Sequence, residues 1–225
     1  MKLALVGKNI SHSLSPKLQK EIWKDQLLTY DLIDVPDISQ LPSLSDLALK
    51  YDGINITTPY KEAYIKDVKI VSDLAKMIGA INTISLKDKT ATNTDILATE
   101  KILNRFYRDN PLLQVHLLGA GVMARMTQLI SKKLNIPFYQ YTRATHGDLT
   151  HLDLKKLDEN ALVINACSRS FTFKGDISSQ VSFWDFNYSF DPHRYLAQKV
   201  KTYVDGQELL WEQAKFAALF WQHKA

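Results

Sequence analysis

A single cysteine in 225 residues, Cys167, excludes an intrachain disulfide and fits a reducing compartment. Placed after Val163-Ile164-Asn165-Ala166, it reads as a small buried thiol at a strand end. Long apolar runs are missing too. The run at residues 1–7 is too short for a signal peptide and no later stretch approaches membrane-spanning length, so the expectation is a soluble cytoplasmic protein. Charge of one sign is not concentrated: 28 basic residues against 24 acidic ones leave +4, interspersed along the chain. That argues against a nucleic-acid footprint and allows only a mild attraction for anionic small molecules. The histidines (His12, His116, His146, His151, His193, His223) show neither ligand spacing nor a cysteine cluster, so no metal is expected. Without a G-x-S-x-G elbow, a serine hydrolase has no support. Repeats and low-complexity segments are absent. A hydrophobic content of 45% is that of a folded chain rather than a disordered one, and 225 residues suit two compact domains or one large α/β domain.

What is present is an alternation of strand and helix patterns. Residues 3–6, ended by Gly7, read as a strand buried on both faces. In Ser11-His12-Ser13-Leu14-Ser15-Pro16, the pair Ser15-Pro16 reads as a cap and first helical residue of an amphipathic helix through Leu18, Ile22 and Trp23. Such a loop offers hydroxyls and amide protons to a carboxylate. A second strand is expected at 28–35 and a short helix at 42–50.

The stretch Gly53-Ile54-Asn55-Ile56-Thr57-Thr58-Pro59-Tyr60-Lys61 is more pointed. Ile54 and Ile56 alternate with Asn55 and Thr57 as in a half-buried strand, and Thr58-Pro59 reads as a helix start with Lys61 in its first turn. The peptide dipoles disfavour a cation there by about 0.3–1 kcal/mol, so a lysine set against its local preference suggests proton exchange. A helix is expected at 71–77, a strand from Gly79, its partner at 90–93, and a helix from Ile96 to about Phe106 with Asp95 as an ordinary cap.

A boundary is expected near Asp109-Asn110-Pro111. Residues 112–118 then form a strand running into Gly119-Ala120-Gly121-Val122-Met123-Ala124 and a helix through Leu129, Ile130 and Lys133. Strand, G-x-G-x-x-A and helix together are a dinucleotide fingerprint. The first glycine makes the tight turn, the second lets the backbone approach a pyrophosphate, and the small third residue lets the helix pack close. The next strand, 138–141, ends at Thr142-Arg143 with no acidic residue to hold ribose hydroxyls. A guanidinium there can grip a 2′-phosphate bidentately, so NADP is expected over NAD. Strands at 161–166, 182–186 and 201–204 precede a terminal amphipathic helix opened by Asp205-Gly206.

The stretches 11–16, 53–61, 79–83, Asn93-Thr94-Asp95, 119–124, 184–188 and 205–213 resemble, in this order, the shikimate dehydrogenase family. The resemblance implies an α/β fold. An amino-terminal substrate domain (1–108) would carry a mixed, mostly parallel sheet, followed by a Rossmann-like dinucleotide-binding domain (109–205) and a carboxyl-terminal helix (206–225) packing back on the first domain. It implies Lys61 and Asp95 as the catalytic pair and Ser13 and Ser15 as binders of a substrate carboxylate. Thr57, Asn82 and Gln213 would surround ring hydroxyls, with Tyr188 contributing from the cofactor side. Gly119, Ala120, Gly121, Val122 and Ala124 would hold the pyrophosphate, Thr142 and Arg143 the adenosine phosphate, and Phe186 and Gly206 the nicotinamide end. The implied activity is NADP-dependent, reversible reduction of 3-dehydroshikimate to shikimate in aromatic amino-acid biosynthesis, by a monomer or homodimer with no nucleic-acid or membrane partner. Quinate or an aminated shikimate as substrate, or a ring-acid binder that regulates without turnover, are the alternatives. The chain departs from the family pattern at Ile96-Leu97-Ala98 (usually Gly-x-Gly), at Val122, at Thr142-Arg143-Ala144 (usually Asn-Arg-Thr) and at Glu208 (usually Gly). These departures cluster on the cofactor side.

Overall fold

The uninterrupted apolar run near the amino terminus becomes strand β1 (Lys2–Gly7), buried from Leu3 onward. The structure, a computed structural model, describes residues 1–24 and 28–223. Along the chain follow α1 (Ser15–Trp23), β2 (Thr29–Asp34), α2 (Leu44–Ala48), β3 (Gly53–Ile56), β4 (Lys69–Ile70), α3 (Asp73–Ile78), β5 (Thr83–Ser85), β6 (Thr90–Thr92) and α4 (Thr94–Asp109). These strands form one sheet in the order β2-β1-β3-β5-β6-β4. It is mixed: β5 runs antiparallel to β3 and β6, and the other pairings are parallel. Connection length explains the difference. The tight polar turn Lys87-Asp88-Lys89 can join β5 to β6 only as an antiparallel pair, whereas β1 reaches β2 through a helix-bearing crossover.

Two expectations are corrected here. Strand β3 is not half-buried: all four of its residues are buried, because β1 and β5 flank it and its polar member, Asn55, is satisfied inside the sheet. Nor does an α-helix begin at Pro59. From Thr57 the chain runs in three-residue turns, with the Tyr60 N–H donating to Thr57 (2.9 Å) and the Ala63 N–H to Tyr60 (3.0 Å), and only a 3₁₀ turn follows at Ile65–Asp67. The Thr58–Pro59 peptide is cis. Two buried phenols anchor this segment, Tyr60 donating to the Val35 carbonyl (2.7 Å) and Tyr64 to that of Pro42 (2.6 Å). Such tertiary contacts override a helix propensity that is worth only tenths of a kcal/mol per residue, about 0.7 at most for ordinary residues.

Beyond α4 come β7 (Gln114–Leu118), α5 (Val122–Lys133), β8 (Phe138–Tyr141), α6 (Arg143–His146), β9 (Ala161–Asn165), β10 (Ser182–Asp185), α7 (Leu196–Lys199), β11 (Thr202–Val204) and α8 (Gln207–Gln222). Their strands form a second sheet, parallel throughout, in the order β11-β10-β9-β7-β8. The succession reverses at β7, which has β8 on one side and β9 on the other. In open α/β sheets the carboxyl ends of strands at such a point are where ligands bind. The fold is therefore α/β with two sheets.

The chain divides into two compact units, Met1–Ala98 with Leu210–Ala225, and Thr99–Leu209, the dividing points falling inside α4 and α8. In the first unit, Trp221 of α8 donates its indole N–H to the Ile84 carbonyl (2.9 Å). It also explains Gly53, where a Cβ would stand 2.4 Å from the indole nitrogen. The terminal helix thus packs on the first sheet. Of the expected terminal segment, residues 224 and 225 lie outside the described residues. Among the described residues, no helix is long and apolar enough to cross a membrane.

Candidate active site

Lys61 and Asp95, 34 residues apart, meet in the first unit: Nζ lies 2.7 Å from Oδ2, and each side chain is only 13% exposed. Taking two charges out of water is recovered only by good geometry, so a pair held this deep is weak evidence for stability and better evidence for chemistry. Lys61 is placed by its backbone, whose carbonyl accepts from the Ile81 N–H at 2.8 Å. The expected placement at a helix start, with the dipole against its charge, falls with the helix at Pro59. Asp95 does lie in the first turn of α4, where the dipole favours a carboxylate by about 0.3–1 kcal/mol.

Asp95 is not the cap, which corrects a further expectation. Asn93 takes that part: its Oδ1 accepts the Asp95 N–H (3.1 Å) while its Nδ2 donates to the Ala80 carbonyl (3.0 Å). Asn82 accepts the preceding N–H, that of Thr94, at 2.7 Å. Two asparagines cap the helix, and the Asp95 carboxylate is left for Lys61. At α1 the cap position is Leu14, without a side-chain cap bond, so Ser15 is the first helical residue rather than the cap. Its N–H donates to Ser13 Oγ (3.2 Å), and the two hydroxyl oxygens are also 3.2 Å apart. The Thr94 hydroxyl lies 3.2 Å from Asn82 Oδ1 and 3.4 Å from Gln213 Oε1, tying Gln213 to Asn82. Thr57 is set by its N–H, which donates to Val6 (2.9 Å), and its methyl stands over Gly7, where a Cβ would come within 2.4 Å of it. The structure thus brings together Lys61 with Asp95, Asn82 with Gln213, and Ser13 with Ser15.

The second unit holds the glycine-rich turn. Gly119 has φ of 113°, and a Cβ there would stand 3.2 Å from the Ala166 backbone and 3.3 Å from the Cys167 nitrogen, so the turns after β7 and β9 touch. Ala120 separates it from Gly121, where a Cβ would meet nothing within 4 Å, so that side is open. Val122 begins α5, whose first turn has no acidic residue, and Ala124 is fully buried, allowing close packing. An uncompensated helix start beside an open glycine is a place for an anion. Thr142 caps α6 by accepting the Thr145 N–H (3.2 Å), and Arg143, its first residue, is exposed. Gly206 is required because the Phe186 carbonyl oxygen would lie 2.3 Å from a Cβ. Tyr188 belongs to this unit, with its carbonyl accepting from Arg169 (2.7 Å) and its ring under the same guanidinium (5.7 Å). Glu208, a departure from the family pattern, forms a two-point ion pair with Arg105 of α4 at 2.5 and 2.8 Å.

Sequence reading missed one cluster altogether. Asp185 and His193 are both fully buried, and His193 Nδ1 lies 2.5 Å from Asp185 Oδ2. The Phe173 N–H donates to His193 Nε2 (2.8 Å), which leaves the ring proton on Nδ1, donated to the carboxylate. Asp185 Oδ1 accepts from Asn165 Nδ2 (3.0 Å) and from the Asn187 N–H (2.9 Å), while the Asn187 carbonyl accepts the Gly206 N–H (3.2 Å). The members come from scattered positions with no spacing to betray them. Cys167 is half-buried rather than buried as expected, and burial still pushes its thiol up to about 11, against the pull of the nearby Arg143 guanidinium. Because the thiolate is the reactive form, alkylation at pH 8 should run more than about tenfold slower than for free cysteine. Equal rates would show an open thiol.

Comparison with known proteins adds names to this geometry. Residues 5–84 match the family model described as "Shikimate dehydrogenase substrate binding domain". A shikimate dehydrogenase (NADP(+)) of Clostridium perfringens (strain 13 / Type A) is 31% identical over 185 residues, covering 73% of this chain and 68% of that protein. Two solved structures share the fold at 21% identity. Shikimate dehydrogenase from Aquifex aeolicus superposes with a TM-score of 0.81, covering 99% of this chain and 92% of that one. Shikimate 5-dehydrogenase from Thermus thermophilus, in complex with NADP(H) and shikimate, gives 0.78 with 99% and 94%.

Proposed function

The chain belongs to the shikimate dehydrogenase family, and from that premise we propose that it interconverts 3-dehydroshikimate and shikimate with NADP. The observation that carries the reading is the Lys61–Asp95 pair, 2.7 Å apart and nearly buried, in the same unit as the Asn82–Thr94–Gln213 cluster. Ser13 and Ser15 take the ring carboxylate, and Thr57, Asn82 and Gln213 the ring hydroxyls. A hydride leaves a carbinol carbon only if the hydroxyl proton goes as well. In oxidation a neutral Lys61 amine accepts that proton, and in reduction its ammonium donates one to the nascent alkoxide, while Asp95 orients Nζ.

The second unit's residues fit a phosphorylated dinucleotide. Gly119 to Ala124 offer an open, acid-free helix start, Thr142 and Arg143 follow β8 with no carboxylate to repel a 2′-phosphate, and Phe186 and Gly206 form a close-packed turn. When bound, NADP supplies the hydride acceptor. Substrate binding is assigned to 1–108 with the terminal helix 206–225, and cofactor binding to 109–205. We place the protein in the cytoplasm as a monomer or homodimer, without nucleic-acid or membrane partners, on the dispersed charge of +4.

Arg143→Ala should weaken NADP binding by about 1.5–3 kcal/mol, the range for a hydrogen bond to a charged group, and leave NAD binding nearly unchanged. Titration of both cofactors measures it, and equal losses would make Arg143 structural. The reading itself is tested in the oxidative direction: NADP reduction with shikimate should exceed that with quinate, whose extra hydroxyl sits on the carboxylate-bearing carbon beside Ser13 and Ser15. Comparable efficiencies would replace the assigned substrate.

A further inference from the structure

From Tyr30, beside Ser15, to Asn82 runs a chain of polar side chains whose hydrogen bonds all point one way, and backbone groups fix the direction. Asn55 Nδ2 faces the Asn82 carbonyl (3.0 Å), which can only accept, so Asn55 Oδ1 is the atom turned to Tyr30 and the phenol donates to it at 2.8 Å. The same Nδ2 donates to Thr83 Oγ1 (3.0 Å), and the Thr83 proton goes on to Asn82 Oδ1 (3.0 Å). The Thr94 N–H, which can only donate, meets that oxygen at 2.7 Å. The oxygen of the Asn82 amide is thus used within the protein, and its NH2 is the end offered to a ligand. At the other end Ser15 lies beside the Tyr30 phenol, and Ser13 Oγ donates to Ser15 Oγ at 3.2 Å. Burial raises the phenol far above its ordinary range, so it remains a donor at physiological pH. All these residues belong to the first unit.

We propose that Tyr30 is a positioning residue of the substrate site: through Asn55 and Thr83 it ties the carboxylate-binding serines to Asn82. The span between an acid's carboxylate and the ring oxygen met by the Asn82 NH2 is then set before the acid arrives. This rests on the ring-acid reading of the site. A preset span lowers the ordering that binding requires, so its loss falls on affinity rather than on the proton-transfer step carried by Lys61. A structural tyrosine would behave differently, lowering stability without selecting one kinetic constant.

Tyr30→Phe keeps the ring and removes only the hydroxyl, leaving Asn55 Oδ1 without its donor. It should raise KM for 3-dehydroshikimate about tenfold, hold kcat within about twofold and leave KM for NADPH unchanged. Because Tyr30 acts through Asn82, the double variant Tyr30→Phe/Asn82→Ala should have a KM no higher than Asn82→Ala alone. Thr83→Val breaks the chain at β5 and should reproduce the KM rise even where Tyr30→Phe folds poorly. An unchanged KM with a lowered melting temperature in either variant, or additive losses in the double variant, overturns the proposal. Should the wild-type chain consume no NADPH with 3-dehydroshikimate, the functional reading fails separately. Calorimetric shikimate binding then makes the comparison, and a Kd for Tyr30→Phe equal to wild type overturns the relay.

Discussion

Lys61→Met is expected to lower kcat by about 10² to 10⁴-fold, the usual reach of general acid–base catalysis, while changing shikimate affinity far less. Methionine keeps the length and apolar body of the side chain and removes only the group that exchanges a proton. Asp95 then loses the cation 2.7 Å away, but its place in the first turn of α4, with both Asn93 and Asn82 holding the helix start, is unaffected. Asp95→Asn should also reduce kcat, because an amide orients the ammonium less strongly than a carboxylate. Since the two act as a unit, the double variant should lose less than the product of the single losses. Most of the wild-type kcat surviving in Lys61→Met, with substrate and cofactor saturating, would leave Lys61 as a binding residue only.

The second large effect is on stability. Asp185→Ala should destabilise the chain by about 3–5 kcal/mol, because several buried donors lose their acceptor and each unsatisfied one costs about 1–3 kcal/mol. The donors stranded include the His193 Nδ1–H, Asn165 Nδ2 and the Asn187 N–H, all on buried residues. A drop in melting temperature of more than about 10 °C is the corresponding thermal signature for a unit of this size. Because the Asn187 carbonyl receives the Gly206 N–H, KM for NADPH should rise in the same variant. A loss under about 1 kcal/mol would mean that the cluster is not what holds this end of the second sheet.

Elements whose physics is local were legible before any coordinates. The apolar run of β1, the G-x-G-x-x-A turn into α5 and the Asp205 start of α8, where Asp205 Oδ1 accepts the Gln207 N–H at 3.0 Å, depend on neighbours in sequence. What depends on distant partners was misread. Thr58-Pro59 has the chemistry of a helix start, but Tyr60 and Tyr64 are anchored to carbonyls 25 and 22 residues away, and the turn follows them. Asp95 has the chemistry of a cap, yet Asn82, 12 residues before Thr94, shares the capping and releases it. The sequence points to Lys61 through a helix dipole that the fold does not provide, and what surrounds its ammonium instead is the Asp95 carboxylate. Tyr30 reads as an ordinary aromatic strand residue because nothing in its neighbours shows where the hydroxyl points. Asn55 carried a signal that was available: an amide in the middle of a central strand must have its hydrogen bonds met inside. The Asp185 cluster had none, its members lying at 165, 185, 187 and 193.

The most direct measurement is NADPH consumption by the wild-type chain given 3-dehydroshikimate, with shikimate quantified at the end point. The account predicts steady loss of NADPH absorbance and one shikimate formed for each NADPH oxidised. Shikimate that binds by calorimetry while NADPH and 3-dehydroshikimate remain unconsumed would contradict it, making the chain a binder of the ring acid rather than a dehydrogenase.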